Sequence, residues 1–285
     1  MLTAVPGVAV GHWTDSVART GCTVIILPEG TVASGEVRGG APATREFELL
    51  APERMVETID AVVLSGGSSF GLAAADGVMT YLEGEGRGFP TSVGPVPIVV
   101  AMSVFDLLDG DGSVRPTAAS GHSAAAGATR DPVTLGRVGA GAGCTIEKWR
   151  GPDHRRPGAL VGHAIQRGEL VVAALVVVNS FGSIDDGSDL ADRLPAPGQA
   201  FRTAPVGDNT TIGVVVTNAV VDKLGCHLVA QGAHDGLARG VAPTHTRVDG
   251  DAFVACATGE VDGVPVDEAR FLAVAAVEAA LRSLR

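Results

Sequence analysis

The chain has 285 residues, 46% of them hydrophobic, with 39 glycines and a formal net charge of −11. That apolar content fills a sizeable core and excludes a disordered chain. The acidic balance, with no basic stripe, excludes a phosphate-tracking nucleic-acid partner and disfavours anionic membrane surfaces.

The opening Met1-Leu2-Thr3-Ala4-Val5-Pro6-Gly7 has no positive n-region and no apolar h-region, and no apolar run reaches membrane-span length. A cytoplasmic protein is expected, with no membrane partner. Short strands are expected at 8–12, 23–27 and 31–36, and Gly39-Gly40 with Ala41-Pro42 marks a loop. A buried strand at 61–64 opens into Ser65-Gly66-Gly67-Ser68-Ser69-Phe70-Gly71 and a helix at 72–83. Then come a strand at 98–104, a small-residue helix at 120–129, a glycine-rich strand at 137–146 and a strongly apolar strand at 170–178.

Residues 185–208 carry aspartate, proline, glycine and alanine without apolar periodicity, which predicts a long surface loop. A strand at 210–217, a helix at 222–239, a strand at 252–257 and a helix at 266–284 complete the chain. The last helix places Phe271, Val274, Val277, Ala280 and Leu281 near one face. Strands and helices come in blocks without a regular βαβ beat. That predicts a layered α/β fold, two sheets between helices.

Cys22, Cys144, Cys226 and Cys256 are far apart and form no CxxC pair, so buried free thiols are expected. Cys226-His227 is weak as a thiol nucleophile, because adjacent helical residues point in different directions. His227 and His234 lack zinc-ligand spacing and an implied carboxylate partner, so neither a metal nor a cofactor is expected. The glycines of 139–143 miss the spacing of a dinucleotide fingerprint. Ser65, Gly66, Gly67 and Ser68 sit at a strand-to-helix turn and can wall a substrate; close backbone packing explains them equally well.

Asp208-Asn209-Thr210-Thr211 runs from a polar turn straight into a β-branched strand. Taken alone this is an ordinary turn. It is also how a chain looks when it frees a threonine as a new N-terminus, whose α-amine then serves as the base for its own hydroxyl. Only two of the 21 basic residues are lysine, and only three asparagines exist. Asn209 lies at the joint, Asn218 and Asn179 end buried strands, and Lys148 follows the glycine-rich segment. Asp249-Gly250-Asp251 places two carboxylates at i and i+2, which share a face on a strand. Such a pair can hold an ammonium and orient a hydroxyl; in water it is an acidic turn.

Together, the joint, Asn179, Lys148 and the Asp-Gly-Asp turn resemble the DmpA-type aminopeptidases. These include L-aminopeptidase/D-esterases, β-peptidyl aminopeptidases and nylon-oligomer hydrolases. Val5-Pro6-Gly7-Val8-Ala9-Val10-Gly11-His12, residues 38–45, Ser65 to Leu72 with Ala75-Asp76-Gly77-Val78, and residues 139–151 extend the likeness over nearly the whole chain. The resemblance implies a four-layer αββα sandwich of the DmpA/ornithine acetyltransferase type, formed by one self-processing domain. It implies cleavage into an α chain, 1–209, and a β chain, 210–285. Thr210 would be the nucleophile, Asn179 an oxyanion donor, and Lys148 the lysine of the nylon-oligomer branch. Asp249 and Asp251 match that branch's carboxylates, where peptidase relatives carry serine and glutamate. Phe105 falls where some relatives place a substrate-side tyrosine; the chain's only tyrosine is Tyr81. The implied activity is hydrolysis of small amides, peptides or esters with a free amino end, by a homotetramer of αβ units. Acyl transfer of the ornithine acetyltransferase type, or an uncleaved ligand-binding protein, are the alternatives.

Overall fold

β-branched and small apolar residues dominate ten sheet strands. In chain order these are β1 (Ala9–Asp15), β2 (Thr20–Ile26), β3 (Val32–Val37), β4 (Thr44–Arg45), β5 (Ala61–Ser65), β6 (Val99–Ser103), β7 (Ala159–Arg167), β8 (Leu170–Asn179), β9 (Thr210–Ala219) and β10 (Ala252–Val261). The computed structural model describes residues 1–193 and 208–285. The strands form two five-stranded sheets, in the orders β1-β2-β5-β6-β4 and β7-β8-β9-β10-β3. Helices α1 (Ala74–Gly84) and α2 (Ala118–Ala126) cover the first sheet; after the short α3 (Leu190–Arg193), α4 (Lys223–Gly240) and α5 (Val266–Arg282) cover the second.

Alternation along the strands assigns each side chain to a layer. In β8, Val172, Ala174, Val176 and Val178 face α4 and α5, while Val171, Ala173, Leu175 and Val177 face the other sheet. In β5, Ala61 and Val63 face α1 and α2, while Val62 and Leu64 enter the space between the sheets. A strand buried on both faces reads as an unbroken apolar run, which is why 170–178 shows no polar alternation. Each fully buried valine or leucine contributes about 1.5–3 kcal/mol. The result is the expected four-layer αββα order. Among the described residues, no helix is long and apolar enough to cross a membrane.

Register then builds one end of the second sheet. β9 runs antiparallel to β8, with Thr210 opposite Asn179. It runs parallel to β10, with Ile212 opposite Ala252, and Asn209 bridges Asp249 just before the ladder begins. The end of β8, the start of β9 and the approach to β10 therefore meet. At α4, Asp222 caps the helix through Gly225 N–H, and the buried Lys223 sends its ammonium to the carbonyls of Leu49, Arg54 and Val56.

Several expectations need correction. Residues 137–146 are not a strand: Gly139–Gly141 forms a 3₁₀ turn, and only Thr145–Ile146 pairs, with Arg156–Pro157. A Cβ at Gly141 would fall 2.2 Å from Leu160 N and one at Gly143 2.0 Å from Arg19 O, so these glycines serve close backbone passage. β7 is absent from the sequence reading; it is an edge strand whose Gly162, His163, Gln166 and Arg167 break the apolar pattern. The helix expected from residue 72 opens with a 3₁₀ segment, Ser68–Ala73, before α1. Of the expected 185–208 loop, residues 194–207 lie outside the described residues, and its start contains α3. Phe271 is 66% exposed; the buried face of α5 is Ala269, Leu272, Ala273, Ala276, Val277, Ala280 and Leu281.

Candidate active site

Thr210 is the first residue of β9 and is 3% exposed; Asn209 before it is 1% exposed. The Asn209 carbonyl accepts two hydrogen bonds. One comes from the Thr210 hydroxyl, and the other from Gly250 N–H at 2.9 Å. The carbonyl is thus polarised by a backbone donor while a hydroxyl lies against it. Gly250 is required there, because a Cβ would stand 2.7 Å from Thr210 Oγ1. Among the described residues, both polar atoms of the Asn209 side chain are buried without a hydrogen-bond partner, as is Asp208 Oδ2. Each such group costs about 1–3 kcal/mol.

The end of β8 supports the carbonyl one residue earlier. Asp208 O accepts from Lys148 Nζ at 2.6 Å and from Asn179 Nδ2 at 3.3 Å. Asn179 also donates to Phe105 O at 2.9 Å. Its Oδ1 accepts from Thr145 N–H at 2.9 Å and from Lys148 Nζ at 3.0 Å. Two donors on one side and two acceptors on the other fix the orientation of this amide. Lys148 is held by its backbone neighbours: Glu147 N–H donates to Gly182 O and Trp149 N–H to Phe181 O. Burial pushes the Lys148 pKa down to about 7.

The two aspartates clamp the other side. Asp249 Oδ1 accepts from Phe181 N–H, and Oδ2 from the amide and hydroxyl of Thr246. Burial raises the Asp249 pKa to about 6, and the neighbouring Asp251 charge adds to the rise. Asp251 Oδ1 accepts from Thr211 N–H at 2.7 Å. Its Oδ2 accepts from His245 N–H, His245 Nδ1 and Thr244 Oγ1. Asp251 therefore holds the entrance of β9, and Asp249 ties the segment after β8 to the segment before β10.

Phe105, Asp106, Leu108, Asp109, Gly143, Thr145, Lys148, Arg155 and Asp208 line a cleft against the joint. The Ser65 to Ser68 turn lies behind it, with its amides in use. Gly66 N–H donates to Gly21 O, Gly67 N–H to Asp106 Oδ1 and Ser68 N–H to Val104 O. Asp106, which also accepts from Thr20 Oγ1, has its pKa raised by burial. The turn therefore reaches the cleft through Asp106. Thr210, Asn209, Asn179, Lys148, Asp249, Asp251 and Phe105 converge at one place. Asp106, His245 and the Gly250 amide were missed. The polar Thr244-His245-Thr246 run ahead of the acidic turn was the available signal for His245. The Cys226 thiol is buried with its pKa raised to about 12, and His227 Nδ1 lies 3.1 Å from Gly35 O, so that adjacent pair forms no site.

The four-layer αββα sandwich is the fold of the DmpA-type proteins. The chain matches peptidase family S58 over residues 1–283 and belongs to it. It is 40% identical over 292 residues to an uncharacterised aminopeptidase of Mycobacterium leprae, covering 92% of this chain and 79% of the relative. It is 30% identical over 277 residues to a 6-aminohexanoate-oligomer endohydrolase of Agromyces sp., covering 90% and 74% respectively. Among solved structures, a Burkholderia sp. beta-aminopeptidase superimposes with a TM-score of 0.74 at 24% identity, covering 98% of this chain and 84% of that one. The Ochrobactrum anthropi L-aminopeptidase D-Ala-esterase/amidase, a variant of the Ntn hydrolase fold, gives 0.74 at 18% identity, covering 98% and 84%.

Proposed function

We propose that the chain cleaves itself between Asn209 and Thr210, and that the freed Thr210 then hydrolyses peptides or linear amides, favouring those with a free amino end. The observation that carries this reading is the Asn209 carbonyl. It lies against the Thr210 hydroxyl and accepts the Gly250 N–H at 2.9 Å. A donor already aimed at a carbonyl about to become an oxyanion is worth about 3–4 kcal/mol in the barrier.

In self-cleavage, Thr210 Oγ bonds to the Asn209 carbonyl carbon. The Asn209–Thr210 amide bond breaks, and the departing nitrogen ends with the hydroxyl's proton. Water then hydrolyses the ester, leaving a carboxylate on Asn209 and a free hydroxyl and amine on Thr210. An α-amine has an ordinary pKa of about 7.7–8.0, close to neutral pH, and suits a general base. In turnover the amine takes the Thr210 proton, the hydroxyl attacks the substrate carbonyl, and the leaving amine carries the proton away. Water releases the acyl-threonine ester. The substrate's acyl group takes the place of Asn209, so the Gly250 amide serves the oxyanion again. Asn179 and Lys148 face the atoms one residue upstream.

Denaturing electrophoresis of the wild-type protein should show a large and a small fragment, the small one beginning Thr-Thr-Ile-Gly. Thr210→Ala should remain a single chain; processing in that variant would overturn the proposal. The cleaved enzyme should hydrolyse oligomers of 6-aminohexanoate or amino-acid p-nitroanilides, faster with a free than with an acetylated amine. Acyl transfer to an added amine, without hydrolysis, would favour a transferase.

A further inference from the structure

His245 stands outside the set of residues named above as reacting, yet it makes two of the contacts that hold Asp251. Its backbone N–H lies 3.0 Å and its ring Nδ1 2.9 Å from the same oxygen, Asp251 Oδ2. Both reach it because His245 adopts a left-handed backbone, φ 55°. A non-glycine residue there costs on the order of 1 kcal/mol and persists only where surrounding contacts require it. The other ring nitrogen, Nε2, faces the carbonyl of His234 at 3.4 Å. The ring is thereby held between the Asp251 carboxylate and the His234 carbonyl. The ring packs edge-on against the His234 ring at 4.9 Å.

We propose that His245 is the positioning residue for Asp251: by engaging Oδ2 twice, it leaves Oδ1 aimed at the amide of Thr211, the residue after the nucleophile. The inference rests on the reading of Thr210 as nucleophile. Thr210 enters β9 through the peptide that Asp251 pins, so a loose Asp251 lets the hydroxyl drift from the carbonyl it must attack. The titratable groups facing the ring are Asp251 and, from α4, His234, which burial keeps neutral. Asp249 stands beside Asp251. Arg38, near His234, is itself paired with Glu36 and Asp235.

The test compares wild type, His245→Ala and His245→Asn for self-cleavage over time and for turnover, with kcat and KM read separately. Each is first checked for an unchanged thermal midpoint. His245→Ala should accumulate uncleaved chain, with both rates roughly 10- to 100-fold lower, the scale of a small misplacement of reacting groups. Asparagine tolerates the left-handed backbone and keeps a neutral donor. His245→Asn should therefore recover self-cleavage and most of the turnover lost in His245→Ala. A folded His245→Ala with wild-type rates overturns the proposal. If the alanine variant does not fold, the asparagine variant decides: a cleaved, active chain supports the role, and an uncleaved chain overturns it. A wild-type protein that never cleaves would instead sink the reading of Thr210.

Discussion

Lys148 carries its ammonium into a place where its bonded neighbours are all oxygens: Asn179 O, Asn179 Oδ1 and Asp208 O. Burial outweighs them and brings its pKa from 10.5 to about 7. Between those values the unfolded chain binds more protons than the folded one, so stability rises as pH climbs above about 7. Lys223, also lowered by burial, adds in the same direction. Above about pH 8.5 the opposite effect enters, because unfolded cysteines ionise there while the folded Cys22 and Cys226 thiols are pushed up to about 12. The thermal midpoint of uncleaved Thr210→Ala should therefore climb from pH 7 to about 8.5. Adding Lys148→Met should raise the midpoint at pH 7 and remove most of the climb; an unchanged slope would contradict the buried-lysine account. At this scale the sequence pointed well where a rare residue type marked a place, as with Asn179, Lys148 and Asn209. It did not reveal the Gly250 donor, because a backbone N–H leaves no mark in residue type. Nor did it reveal how the segment before the acidic turn folds back to put His245 on Asp251.

Helix α4 approaches α5 along a row of glycines. A Cβ at Gly232 would meet Arg270 O at 2.8 Å, one at Gly236 Val274 O at 2.6 Å, and one at Gly240 the Leu281 side chain at 2.5 Å. The spacing of four keeps all three on one helix face. Gly236→Val should force the helices apart at about 1–3 kcal/mol, lowering the thermal midpoint by roughly 2–10 °C in a chain of this size. Differential scanning calorimetry on the Thr210→Ala background measures this without interference from cleavage. A midpoint within a degree of the parent would show that the row is not a packing device. Elements with a strong period were legible from sequence, among them β8, β9, α4 and α5. The failures share one cause: β7 at a sheet edge and the 139–141 turn are shaped by what neighbouring backbone allows, which hydropathy does not register.

In the molecule as a whole, the joint precedes the middle strand of a sheet. β9 lies between β8 and β10, so a fragment of residues 210–285 would carry β9, α4, β10 and α5. Separating it would tear the second sheet between β8 and β9, and β3 from β10, exposing two apolar cores. After cleavage the fragments should co-elute in native size-exclusion chromatography and part only in denaturant; separation in native buffer would refute this. Val93, 93% exposed, with Phe89 and Val96 on the same hairpin, and Phe271 on α5, offer apolar surface for assembly. A homotetramer of cleaved units is the proposed state, and light scattering that found single units at micromolar concentration would count against it.

The oxygens that tie down both lysines have a practical consequence. Lys223 bonds three carbonyls of the 49–56 loop as Lys148 bonds its three oxygens. A folded chain with no other lysine should therefore present almost no side-chain amine to an acylating reagent. Brief native treatment of Thr210→Ala with an active ester, followed by peptide mass spectrometry, should find Lys223 unmodified and Lys148, bonded to three oxygens at the cleft, modified far more slowly than a free lysine. In the wild type each cleavage, if it proceeds as proposed, should create one new primary amine, on Thr210. Amine labelling would then count the proposed cleavage, and the same label, landing on the proposed base, should extinguish turnover in proportion.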